Sequence, residues 1–358
     1  MKKIYFTPGP SELYPTVPKH FHNSLKTQIG SISHRSLQFQ QIYQELVISL
    51  KKLLMIPDEY HIFIVGSGTE AMERTVQNCV ETYSFHFVNG SFSKRFFIMA
   101  KELDKNPEKS EVPIGQGFDF KKITIPKSPE LICFTQNETS SGVIIPVKEI
   151  AAIAKKHPDA LIAVDIVSSV PYVDLDYKLL DIVFFSVQKG FGLPAGLGVI
   201  VVSPRAIEKA KLLEQKEVNI GSYHSFPKLL HYAQKQQTHE TPPLLAMYLL
   251  GKVINDMQKK GIDKIRMETE QKAKLLYDFL AGSEKLSLFI KEKKWRSQTV
   301  IVADIQKVKK DVKKILAKKG FIVGSGYGEN KHTQIRIANF PAHSVKDVKR
   351  LIKELKIV

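Results

Sequence analysis

Lys189 is the residue most at odds with its surroundings. It follows an apolar stretch that reads as a strand over 181–186, and a glycine-rich run, Gly190-Phe191-Gly192-Leu193-Pro194-Ala195-Gly196, comes directly after it. A lysine held in such a place loses hydration, which disfavours the ammonium form and leaves an amine able to act as nucleophile or base. A lysine turned out to solvent is the ordinary alternative. Asp165 closes a second apolar run, a strand over 161–164, and leads into Ile166-Val167-Ser168-Ser169. A carboxylate there needs a partner, either a turn or helix cap or a cation. A third strand, 62–65, runs into Gly66-Ser67-Gly68-Thr69 before a helix that starts at Glu70. Such a turn is a structural punctuation mark or an anion site built on free N–H groups. It lacks the third glycine of a dinucleotide fingerprint and the Gly-Lys-Ser/Thr of a nucleotide P-loop.

Taken together, the three strand ends describe one cofactor. Pyridoxal phosphate requires a lysine amine for a Schiff base, a carboxylate at its ring nitrogen and an anion cradle for its phosphate. Lys189, Asp165 and the 66–69 turn offer one each. Phe92, in Asn89-Gly90-Ser91-Phe92, could stack on the ring, although a core phenylalanine would be spaced no differently.

The elements that must position these groups alternate along the first 245 residues. Strands are expected at 62–65, 85–88, 131–135, 161–164, 181–186 and 197–202, with helices at 70–83, 93–103 and 147–156. Strands this apolar, separated by helices, form a sheet buried on both faces and largely parallel, hence an α/β fold. In such a sheet the strand ends that matter lie along one edge. Beyond Pro242-Pro243 the texture changes, with helices at 243–260 and 263–280, strands at 299–303 and 334–338, and helices at 308–319 and 345–355. The expected organisation is an N-terminal arm (1–14), a large cofactor-binding domain (15–254) and a smaller α+β domain (255–358).

Composition narrows the function classes. A chain of 358 residues that is 43% hydrophobic is neither disordered nor collagen-like. No apolar run approaches the roughly 18 residues of a membrane span. Met1-Lys2-Lys3 is basic, but Thr7-Pro8-Gly9-Pro10 follows too soon for the apolar core of an export signal, so a cytoplasmic location is expected, with no membrane partner. Cys79 and Cys133 fall in core-forming patterns and make no disulfide framework. The net charge of +17 raises a different class, a basic nucleic-acid-binding protein. Its distribution argues otherwise. Residues 259–358 hold 25 basic against 11 acidic side chains, whereas the preceding part holds 28 against 25. The excess therefore sits away from Lys189, on amphipathic helical faces with no interleaved aromatics, and no nucleic-acid partner is expected.

Several ordered segments resemble the class V, fold-type I pyridoxal-phosphate aminotransferases over essentially the whole chain. They are Tyr5-Phe6-Thr7-Pro8-Gly9-Pro10, Ile32-Ser33-His34-Arg35-Ser36, Gly66-Ser67-Gly68-Thr69-Glu70-Ala71-Met72-Glu73, Asn137-Glu138-Thr139-Ser140-Ser141-Gly142, Val164-Asp165, Gln188-Lys189 and Thr241-Pro242-Pro243. The resemblance implies that Lys189 carries the cofactor and moves the proton, and that Asp165 keeps the ring nitrogen protonated. It implies further that Phe92 stacks on the ring, Thr139 bonds near the 3′-oxygen, and Gly68, Thr69 and Gln188 hold the phosphate. Thr241 would reach the phosphate from the neighbouring subunit of a homodimer. Cysteine desulfurases share the fold but resemble a His-Lys pair where Gln188-Lys189 stands, and they need a cysteine on a mobile loop.

Within the class the chain looks like both phosphoserine aminotransferases and the alanine–glyoxylate or serine–pyruvate branch. Arg336 matches the arginine that grips an α-carboxylate, a task its planar fork performs bidentately; its other reading is a surface-strand arginine. His34 and Arg35 would bind a distal phosphate or carboxylate. Two departures separate the chain from the phosphoserine branch. Glu329 and Asn330 stand where that branch has a His-Arg pair, with Lys331 and His332 as nearby substitutes, and Glu240 replaces a phosphate-binding asparagine. The expected reaction is ping-pong transfer from glutamate to 3-phosphohydroxypyruvate, giving O-phosphoserine and 2-oxoglutarate, with alanine–glyoxylate or serine–pyruvate exchange as the alternative.

Overall fold

Two sheets organise the chain. The computed structural model describes residues 3–125, 128–308 and 310–357; Met1, Lys2 and Lys309, which belong to segments considered above, lie outside them. The larger sheet has seven strands in the order His61–Val65, Gly198–Val202, Ile182–Ser186, Leu161–Asp165, Leu131–Thr135, Tyr83–Val88 and Asn106–Glu111. Gly198–Val202 runs antiparallel to both neighbours, and every other pairing is parallel. Its apolar runs explain why it is covered twice. Ile62 and Ile64 join one core cluster while Phe63 and Val65 join the other, and Val183 and Phe185 likewise face away from Ile182 and Phe184. Alternation with both faces apolar is what a helix-sandwiched sheet requires.

The expected strand at 85–88 begins earlier, at Tyr83, because its neighbour Asn106–Glu111 pairs along its full length. That neighbour, Asn-Pro-Glu-Lys-Ser-Glu, has no apolar alternation and was not expected as a strand. It sits at the sheet edge, where Pro107 and charged side chains are tolerated.

The smaller sheet has the order Ile4–Phe6, Phe321–Ser325, Gln334–Ala338, Val300–Asp304 and Ser287–Leu288. Its first strand comes from the N-terminal arm and pairs in parallel with Phe321–Ser325. Helices Ile262–Ala281 and Val345–Lys356 bury Leu276, Leu280, Val348, Leu351 and Leu355 against Ile301, Ile335 and Ile337. Lys346, Lys349, Lys353 and Lys356 point to solvent, so the basic excess on this helix is a solvated face. The expected helix 308–319 is shorter, Val312–Lys318, and is started by Asp311, whose carboxylate accepts from the Lys314 N–H at 3.0 Å.

Candidate functional site

The carboxyl ends of His61–Val65, Leu161–Asp165 and Ile182–Ser186 open into one cavity of about 300 Å³. Its walls include Gly68, Thr69, Phe92, Thr139, Asp165, Gln188, Lys189 and Arg336, so eight of the expected site residues meet there. Lys189 is buried, and its Nζ donates to Thr139 Oγ1 at 3.0 Å and lies 5.1 Å from the centre of the Phe92 ring. Burial lowers the pKa of this amine, against the pull of the Asp165 and Glu138 carboxylates. Asp165 is also buried and accepts from the Val167 N–H at 2.8 Å. Burial pushes its carboxyl pKa up, while that hydrogen bond and Lys189 act in the opposite sense. The two groups are buried in one cavity and act on each other electrostatically, and burial of this kind is how a protein keeps an amine reactive near neutral pH.

Local structure explains these placements. Ser67 caps the helix Gly68–Cys79, its Oγ accepting from the Glu70 N–H at 3.0 Å, which aims the first N–H groups of the helix at the cavity. Gly68 has no room for a side chain: a Cβ would lie 2.8 Å from Val167 Cγ2 and 3.0 Å from Ser186 Oγ. Phe92 sits at the start of the helix Ser91–Glu102, whose first N–H donates to Ser140 Oγ at 3.0 Å and whose next two are taken by the fully buried Glu138 carboxylate. Its Oε2 accepts from Phe92 N at 3.1 Å and from Ser93 N at 2.9 Å. Thr139 is fixed by Ser168, with 2.8 Å between the hydroxyls, and its carbonyl accepts from Arg336 Nη1 at 3.0 Å. Arg336 Nε also donates to the Ser325 carbonyl at 2.7 Å, and the guanidinium stacks 5.3 Å from the Tyr327 ring centre.

Three expected site residues lie elsewhere within the single chain. His34 and Thr241 line a second, apolar cavity of about 460 Å³ together with Phe21, Pro194 and Leu245. Arg35 donates to the Thr238 carbonyl at 2.7 Å and the His239 carbonyl at 3.0 Å and stacks on Tyr232. Lys331 and His332, the proposed substitutes for a distal-group pair, are exposed and do not line the Lys189 cavity. Two contributors escaped the sequence reading. Arg95 lines the cavity one turn beyond Phe92, its Cζ 5.4 Å from that ring and its Nη1 3.4 Å from Thr69 Oγ1. Its spacing of three from Phe92 on one helix was the available signal. Gly9 belongs to the Thr7-Pro8-Gly9-Pro10 motif, which by itself assigns it no role, and its backbone crosses directly over Lys189. With φ at +148°, a Cβ there would come within 2.8 Å of Lys189 Cε.

A model of the family described as aminotransferase class V matches residues 115–350. The chain belongs to this family. The class V chain is 28% identical over 351 residues to a phosphoserine aminotransferase of Rhodococcus jostii (strain RHA1), covering 97% of this chain and 92% of that protein. It is 50% identical to a structurally characterised phosphoserine aminotransferase from Cytophaga hutchinsonii ATCC 33406, with a TM-score of 0.97 and coverage of 99% and 98%. An alanine–glyoxylate aminotransferase from Nostoc sp. shares the fold at 23% identity, TM-score 0.86, with coverage of 100% and 95%. As a member of this class the protein is a pyridoxal-phosphate-dependent transaminase. The cavity fits that cofactor on its own terms. It offers a buried amine and a buried carboxylate, a helix start packed so closely at Gly68 that a Cβ would collide with Val167 and Ser186, and a Gln188 Oε1 that is buried without a hydrogen-bond partner.

Proposed function

We propose that the protein transfers the amino group of glutamate to 3-phosphohydroxypyruvate, yielding O-phosphoserine and 2-oxoglutarate. The observation that carries this reading is the 50% identity, over 99% of the chain, to the Cytophaga phosphoserine aminotransferase. The charge of the cavity agrees with it: Lys189, Arg95 and Arg336 line a space in which Asp165 is the acidic group, which suits a substrate with more than one negative charge.

When bound, pyridoxal phosphate supplies the aldehyde that takes up the amino group and the ring that spreads negative charge. Lys189 Nζ, kept from full protonation by burial, would displace or be displaced by the substrate amine and carry the proton at Cα. Thr139 Oγ1 orients the Lys189 amine, accepting from it at 3.0 Å. Asp165 would hold a proton on the ring nitrogen, Phe92 would cover one ring face, and Gly68, Thr69 and Gln188 would bind the phosphate. Arg336 would take the substrate carboxylate in a bidentate grip.

His34, Arg35 and Thr241 are assigned to the site of a second copy. Phe21, 41% exposed, lines the apolar cavity that His34 and Thr241 share, and Leu25 and Leu37 are 61% and 77% exposed. Apolar surface of this kind around functional residues supports a homodimer. No helix among the described residues is long and apolar enough to cross a membrane, and a cytoplasmic site of action is part of the proposal. So is the division into an arm, 1–14, and domains at 15–254 and 255–358.

Single-turnover half-reactions test the substrate. The pyridoxamine form should be discharged rapidly by 3-phosphohydroxypyruvate and not by glyoxylate or pyruvate. The reverse preference would place the enzyme with alanine–glyoxylate or serine–pyruvate exchange, the alternative that the Gly324-Ser325-Gly326-Tyr327-Gly328 segment resembles.

A further inference from the structure

Glu240, the residue least expected beside a phosphate-binding threonine, does not line the Lys189 cavity of its own chain. Its Oε2 lies 3.1 Å from His224 Nε2, close enough for an ion pair though poorly angled for a hydrogen bond. The other ring nitrogen of His224, Nδ1, is in contact with Glu70 Oε1. The second oxygen of Glu70 accepts from the Gly66 N–H at 2.7 Å. A continuous link, Glu240–His224–Glu70–Gly66, therefore runs from the segment just before Thr241 to the first residue of the 66–69 turn. His224 is only 3% exposed, and an imidazole with a carboxylate at each nitrogen is held with both protons on.

We propose that His224 is a positioning residue for the phosphate end of the cofactor. As a cation it fixes Glu70 onto Gly66, so that the turn keeps its anion-binding shape. It also offsets two carboxylates that would otherwise repel a phosphate. The inference rests on the reading of the 66–69 turn as the phosphate cradle.

The electrostatics run in the same direction. Burial opposes the charge on His224, but the close carboxylates of Glu240 and Glu70 outweigh it and push its pKa up to about 9. Both carboxylates are in turn held below their ordinary range, His224 overcoming their own burial. Among the described residues, the other charged and titratable groups around this cluster are Arg74, itself paired with Glu73, toward Glu70; His239, His34 and Tyr43 around Glu240; and Tyr223, whose ring centre is 4.0 Å from that of His224. Because the folded pKa is raised, the link is complete at neutral pH and is lost as pH rises through about 9.

The test compares cofactor affinity of the full-length wild type, His224→Gln and Glu240→Gln from pH 6.5 to 10, with pyridoxal phosphate and with pyridoxal, which lacks the phosphate. In His224→Gln, affinity for pyridoxal phosphate should fall about ten-fold at pH 7.5, the scale of one charge-assisted contact. Affinity for pyridoxal should hardly change. Wild-type affinity for the phosphorylated ligand should drop further near pH 9, and this step should be missing from His224→Gln. In Glu240→Gln it should move to lower pH, which keeps the idea testable if the histidine variant does not fold. Equal losses for both ligands, or an unmoved pH step in either variant, overturn the role of His224 while leaving the transaminase reading intact. Failure of the wild type to distinguish pyridoxal phosphate from pyridoxal overturns the cradle reading and the inference with it.

Discussion

Two lysines of this protein are almost equally buried, Lys189 at 6% exposure and Lys272 at 1%, yet they have opposite characters. Burial depresses the pKa of both, that of Lys272 to about 7. Lys272 rises from the helix Ile262–Ala281 and spends its protons on two backbone carbonyls, Phe340 at 2.9 Å and His343 at 2.8 Å, fixing the turn that follows the Arg336 strand. Lys189 has one hydroxyl partner, two carboxylates in its electrostatic field and a cavity in front of its amine. A lowered pKa is thus no signature of chemistry by itself. What separates the two is whether the amine is committed to the fold or left with open space and an uncommitted proton.

Substitutions can break this contrast. The largest effect is expected for Lys189→Ala, which should remove the visible absorbance formed with pyridoxal phosphate and lower kcat by at least about 10³-fold, with little change in melting temperature. Lys272→Met should do the opposite, keeping the absorbance and lowering unfolding free energy by about 2–4 kcal/mol, since two buried carbonyls lose their donor. The pH dependence sharpens the assignment. A lysine whose folded pKa is depressed leaves the unfolded chain holding the extra proton between about pH 7 and 10.5, so its contribution to stability rises with pH across that window. Denaturant titrations at pH 7 and 9.5 should show the wild type gaining stability relative to Lys272→Met as pH rises, since Lys189 and His224 titrate alike in both proteins. The smallest effect is expected at the exposed lysines of the Val345–Lys356 helix. Reversing Lys346, Lys349 and Lys353 to glutamate should leave kcat/KM within about two-fold at physiological salt, where charges on a solvated face are screened over about 8 Å. A larger fall would mean that the basic face steers substrate.

The site was legible in the sequence to the extent that strand ends announce themselves. Asp165, Lys189 and the 66–69 turn each interrupt an apolar run, and a parallel sheet brings such interruptions to one edge. Arg95 and Gly9 left no such mark, because one is an ordinary helix arginine and the other acts through close approach of backbone to a side chain. The fold was least legible where tertiary pairing overrides local pattern. Asn106–Glu111 is polar throughout and becomes a strand only by lying along Tyr83–Val88. Ile4–Phe6 is three residues long, and its partner is remote in sequence. His34, Arg35 and Thr241 were recognised by motif, but one chain alone does not bring them to Lys189.

That short N-terminal strand has a consequence for how the enzyme is made. It cannot pair until Phe321–Ser325 has left the ribosome, roughly 300 residues later. Gly9, three residues beyond Phe6, is the backbone that closes over Lys189. The first strand must therefore wait, unpaired, for nearly the whole of synthesis, while the residues just beyond Gly9 can dock earlier on the lysine's own loop through Ser11 N–H to the Gln188 carbonyl and Tyr14 N–H to the Gly192 carbonyl. The cover over the reactive amine is thus finished in two steps, and the strand that pins its outer end is added only after the larger sheet can already have formed.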